Sequence, residues 1–218
     1  MSNKSISSLS TKRIIISLIL LLGAPVTSLL TDLLIHQRWI SRMFALNIFV
    51  SVLIIYDWNL FGIHYNRSKK SLGDTLIFTV TGCALLALWH YAASRFFNAH
   101  AFLPPGYVLR MYGYARPGML IAFSFMQAAW INIGYKVLTD RMDIRGKEIQ
   151  SILMSAIVFG LLVTLLQGEY SLSVLISSYL YNLILTAVIS YLYNQSHSMI
   201  PGILAMTLVN LAVMILSM

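Results

Sequence analysis

The chain has 218 residues, of which 58% are apolar and 10% charged, and it carries a formal net charge of +8. Soluble domains run near a quarter charged, so this composition lies outside their range. Apolar runs of about twenty residues recur along nearly the whole length and predict an all-α, polytopic transmembrane helical bundle of about seven spans, within six to eight. The runs are continuous rather than alternating, which argues against a β-barrel.

Residues 1–13 form a Ser-rich polar tail, cytoplasmic in this reading, with Lys4, Lys12 and Arg13. Residues 14–217 form one transmembrane domain. The first span is expected at 14–35. Its basic start, apolar stretch and Gly-Ala-Pro-Val-Thr-Ser resemble a cleaved signal. Apolar character resumes from Leu29 to Ile35, so the span is read as retained, and broken or kinked near Pro25. The second span is expected at 42–62 and a basic link at Tyr65–Asp74. The third covers about 75–96. Residues 97–116, with paired prolines, four aromatics, Arg110 and Arg116, read as an interfacial segment. The remaining spans are expected at 117–138, 150–167, 171–193 and 199–217. The fifth and sixth are joined by the tight link Gln167–Tyr170.

Basic residues set the orientation. With the N-terminus inside, Lys4, Lys12, Arg13, Arg67, Lys69, Lys70, Arg141, Arg145 and Lys147 are cytoplasmic. Arg38, Arg42, Arg95, Arg110 and Arg116 are left outside. The excess favours an N-terminus in the cytoplasm of a bacterial cell and a C-terminus outside; an eighth short element within 97–116 would invert the second half. The bilayer therefore accounts for the positive charge. No nucleic-acid partner is expected, because no basic stripe with interleaved aromatics is present. Cys83 is the single cysteine, which excludes an intrachain disulfide or a Cys-rich metal site.

Polar side chains inside spans are costly in lipid and point inward by default. The candidates are Asp32, Asp57, His90, Asn132, Lys136, Glu169, Asn182 and Asn210. Asn132 and Lys136 share a helix face, which reads as a polar cluster or as a snorkelling lysine beside an amide. Asp32 and Asp57 read as interfacial acids paired with arginine, and His90 as a packing histidine. His100 and His197 fall in links. No His-x-x-x-His or His-Glu-x-x-His occurs, so no metal is expected, nor any other cofactor. No Gly-x-Ser-x-Gly elbow is present. Ser155, Ser177, Ser178 and Ser190 read as small residues for close helix packing.

The order of features in 125–215 resembles the CPBP family, also called Abi or CAAX-protease-and-bacteriocin-processing proteins. The segments that carry the resemblance are Ile131-Asn132-Ile133-Gly134-Tyr135-Lys136, Phe159-Gly160-Leu161-Leu162-Val163 and Met206-Thr207-Leu208-Val209-Asn210, with the Ser-Met-Ile-Pro turn before the last. The family's motifs are Glu-Glu-x-x-x-Arg, Phe-x-x-x-His and His-x-x-x-Asn. The resemblance implies an intramembrane glutamic-type endopeptidase in which Glu and His activate a water. Here Ile131 and Asn132 stand for the two acids, Lys136 for Arg, and Val163 and Met206 for the two histidines. Phe159 and Asn210 are retained. None of the substituted groups is a suitable base, so no catalytic set is intact.

The expectation is a catalytically inactive CPBP-like membrane protein that binds another membrane protein, as a scaffold, chaperone, immunity factor or regulator. Asn132, Lys136, Ser155, Gly160 and Asn210 would line its binding groove, between the fourth, fifth and seventh spans. One alternative is an active peptidase using a displaced acid (Asp57, Glu169 or Asp32) with His90. A second is a small transporter subunit.

Overall fold

The computed structural model describes residues 10–36, 38–96, 113–142, 147–167 and 171–216. Among them all regular structure is helical: α1 (Thr11–Ile35), α2 (Arg38–Tyr56), α3 (Trp58–Lys70), α4 (Leu72–Phe96), α5 (Arg116–Met142), α6 (Glu148–Gln167), α7 (Leu172–Ser196) and α8 (Ile200–Leu216), with a 3-10 turn at Gly113–Ala115 before α5. The rest of the expected interfacial segment, His100, the link 143–146 and Glu169 lie outside the described residues.

Among the described residues, five helices are long and apolar enough to cross a membrane: Thr11–Ile35, Arg38–Tyr56, Leu72–Arg95, Glu148–Leu166 and Leu172–Ser196. α8 is apolar but shorter, over Ile200–Val213. α5 is long but carries Gln127, Asn132 and Lys136, all buried. It tolerates them because it is the hub: α1, α2, α6, α7 and α8 all pack on it.

Side-chain bonds show which helix ends lie together. Ser17 near the start of α1 meets Asp57 at the end of α2. Tyr135 of α5 meets Ser151 of α6, and Gln195 of α7 meets Glu148. At the opposite end, Ser28 of α1 and Arg42 of α2 both donate to the Leu166 carbonyl in the last turn of α6. Among the described residues that carbonyl, in the last turn, has no intrahelical donor. Asn210 of α8 donates to Ser124, early in α5, at 2.8 Å. The long helices therefore alternate in direction.

Two expectations need correction. The second span does not run through to 62. The helix stops at Asp57, whose backbone leaves the helical region (φ −105°, ψ 30°), and a separate helix begins at Trp58. Most of the expected Tyr65–Asp74 link is the second half of that helix. The reason is chemical: Asp57 interrupts the apolar run, and polar residues then mix with apolar ones until the segment closes on Asn66, Arg67, Lys69 and Lys70. Of the break or kink expected near Pro25, the break is absent, since α1 continues through Pro25 as one helix.

Candidate functional site

The positions singled out from the resemblance are close-packed. Ile131, Asn132 and Val163 are fully buried, and Phe159, Lys136 and Met206 nearly so. Asn132 spends its Nδ2 on its own helix, donating to the Ala128 carbonyl at 2.7 Å. Gly202 of α8 comes so close that a Cβ there would lie 3.3 Å from that amide. The Asn132 Oδ1 and both amide atoms of Gln127 have no hydrogen-bond partner among the described residues. Asn210 is half-buried and committed to Ser124.

Phe159 is seated by its neighbours. Its ring meets Trp130 edge-on at 5.7 Å and 83°, and it occupies the space a side chain at Gly134 would need. Gly134→Ala is therefore expected to lower stability by about 1–3 kcal/mol, the range for overpacking a well-filled core. Adding Phe159→Leu should recover part of that loss. Thermal unfolding in mild detergent of the single and double variants checks this, and purely additive losses would contradict the packing account.

Ser155 and Gly160 turn a different way from the groove foreseen for them. Ser155 shares a hydrogen bond with Ser190 of α7 at 2.9 Å. A Cβ at Gly160 would stand 3.0 Å from the Leu183 Cα, also of α7. These small residues seam the α6–α7 hairpin, which Asn182 reinforces by donating to Thr164 at 2.9 Å. Of the five groove residues, Asn132 and Asn210 lie at the α5–α8 contact, and Lys136 is buried one turn further along α5.

Of the displaced acids, Asp32 and Asp57 sit at opposite ends of the α1–α2 pair, whereas His90 belongs to the α4–α7 contact. Asp32 sits 3.7 Å from the Arg38 guanidinium, in keeping with an interfacial pair. Asp57 accepts from Ser17 at 2.8 Å. Burial pushes its carboxyl above the ordinary range, against the opposing effects of the Ser17 hydroxyl and the Arg13 charge. His90 packs on Tyr181 of α7, with Nδ1 3.4 Å from the phenol oxygen. Among the described residues no three His, Cys, Asp or Glu side chains gather as a metal site would require.

A dense polar cluster among the described residues centres on a residue not singled out from sequence, His64 of α3. It is fully buried. Its Nδ1 lies 3.2 Å from the His197 carbonyl and its Nε2 3.3 Å from the Tyr193 hydroxyl. Arg67 donates to the same carbonyl at 2.8 Å. Ser68 and Ser198 share a bond of 2.8 Å, and Ser198 also donates to the His64 carbonyl. His197 is the left-handed cap of α7, with φ 52°, so the turn exposes its carbonyl to α3. The Ser198 hydroxyl then accepts from the Ile200 N–H as α8 begins. Pro201 follows in the first turn, where its missing N–H costs nothing. Tyr193 in turn packs on Tyr135 of α5 at 5.1 Å. Burial, and after it the charges of Arg67 and Lys136, hold the His64 imidazole down at about 4, partly countered by the His197 carbonyl. Lys136 is buried rather than snorkelling outward, and its charge acts on His64. The buried stripe Leu60, His64 and Ser68 on an otherwise polar segment was the available signal.

These features define an integral membrane protein of helical class, with several apolar helices around a polar central helix. Compared with protein-family models, curated proteins and solved structures, the chain matches none.

Proposed function

We propose that this chain is a non-catalytic, CPBP-like integral membrane protein that acts by binding another membrane protein, with seven spans and a cytoplasmic N-terminus in a bacterial membrane. The observation that carries the reading is the chemistry at the positions aligned with the family's motifs. Where a water-activating base is needed, Ile131, Asn132, Val163 and Met206 are neutral, and at most 2% of each is exposed. A base must lie within hydrogen-bond reach of its water. The alternation of the long helices supports seven spans, with α5 crossing inside a sheath of the others. Polar side chains on such an enclosed helix escape the lipid penalty.

Because Ser155 and Gly160 seam the hairpin, bulky residues there test folding as much as binding. A cleaner test places a photo-crosslinking residue at outward apolar positions, one helix at a time, in cells. Val80 and Leu88 of α4, 67% and 66% exposed, are suitable, with Leu153 of α6 as a second face. The reading expects one discrete protein adduct confined to one face, and no hydrolysis of prenylated or leader peptides by the purified chain. Adducts to lipid alone on every face, or peptide cleavage lost on His90→Ala, would overturn it.

A further inference from the structure

We propose that α3 is a docking surface for anionic phospholipid headgroups, at the end of the bundle where α1 begins. Its inner stripe, Leu60, His64 and Ser68, is buried on the α7–α8 turn and its surroundings. The opposite side is open. Trp58 and Tyr65 are 65% and 59% exposed, and Lys69 and Lys70 are exposed. Trp58, Tyr65 and Lys69 are spaced by seven and then four residues, so they follow one side of the helix. The helix contains no acid, and its last turn holds Arg67, Lys69 and Lys70. Of the neighbouring acids, Asp57 is buried on Ser17 and faces Arg13. Asp74, in the first turn of α4, is exposed.

Two arguments select lipid as the occupant. α3 is joined through single residues, Asp57 and Ser71, to membrane-length helices on both sides, α2 and α4, which tether its outer face at the membrane surface. Its chemistry fits that depth: Trp and Tyr favour the headgroup boundary, and adjacent lysines favour anionic headgroups. Arg67 is already engaged, donating to the His197 carbonyl, so Lys69 and Lys70 supply the binding charge. The helix that meets the lipid on one side therefore grips the α7–α8 turn with the other. Lipid bound at Lys69 and Lys70 steadies that turn. This inference does not depend on the protein-binding reading above.

The test uses the full chain in nanodiscs of phosphatidylcholine, with and without phosphatidylglycerol, reading the unfolding midpoint and the lipids retained in native mass spectrometry. Phosphatidylglycerol is expected to raise the wild-type midpoint by a few degrees, because a ligand that binds the folded state stabilises it, and to be retained preferentially. The gain should shrink at high salt. Lys69→Gln/Lys70→Gln should lose most of it, while matching wild type in pure phosphatidylcholine because both side chains are exposed; that match separates lost binding from failed folding. Trp58→Ala should weaken retention without abolishing the salt dependence. An equal response to both lipids, or a double variant that keeps the gain, overturns the proposal. So does an equal shift from soluble glycerol phosphate, which would mark a free-anion site, or one seen only with an acidic peptide, which would mark a protein surface.

Discussion

Trp130→Phe is expected to destabilise the bundle by about 1–3 kcal/mol, the cost of leaving a buried carbonyl without a donor, and Pro25→Ala is expected to return much of that loss. Pro25 lies inside α1 and is buried. It has no N–H, so the carbonyl four residues earlier, that of Leu21, loses its helical partner. The Trp130 indole donates to that carbonyl at 3.2 Å from the neighbouring helix. In a span surrounded by lipid or protein, no water is at hand to substitute. Phe at 130 keeps most of the ring volume and its packing on Phe159 but removes the donor. Ala at 25 restores the backbone N–H to Leu21 within α1. Unfolding in mixed micelles of wild type, both single variants and the double variant forms a complete cycle. A clearly favourable coupling is the expected result. Strict additivity would show that the indole does not replace the missing amide.

The same pair shows what was legible in the sequence and what was not. Pro25 announced a lesion in the helix, and a break or kink was the local inference. The remedy lay 105 residues away, a partner that no local pattern reveals. The long apolar runs were readable because lipid demands them, and α1, α4, α6 and α7 lie close to their expected bounds. The end of the second span was misplaced because Leu60, Phe61 and Ile63 prolong the apolar signal past Asp57. Only the packing of α3 shows that Leu60 points inward while Ile63 does not. The small residues Ser155 and Gly160 correctly signalled a close helix approach. A small residue does not name its neighbour, and here the neighbour is α7. His64 was missed for a related reason: it falls between the expected span end at 62 and the link from Tyr65, where a histidine carries no burial expectation, whereas the i, i+4, i+8 stripe of α3 gives it one.

Acid is expected to loosen the contact between α3 and the α7–α8 turn, through His64 alone. Its imidazole titrates near 4 in the folded chain, against 6.5 for an unperturbed histidine, because burial and then the charges of Arg67 and Lys136 disfavour the imidazolium. The unfolded chain therefore takes up this proton more readily than the folded one. Stability from this source is fully present above about pH 6.5 and is lost as the pH falls towards 4. A depression of that size is worth about 3 kcal/mol at most. Protonation would also bring a third positive charge beside Arg67 and Lys136, so the strain falls on the site where α3 holds the His197 carbonyl and Ser198. His64→Gln keeps a polar side chain there but cannot titrate. It should be less stable than wild type at pH 7.5, by about 1–3 kcal/mol for imperfectly replaced buried hydrogen bonds. Between pH 6.5 and 4.5 the gap should narrow, because only wild type pays the cost of acid. Measuring the unfolding free energy of both proteins across that range isolates His64, since every other titrating group is shared. A gap that stays constant with pH would mean that the imidazole titrates normally, and the α3 contact would then have to be looser than its geometry implies.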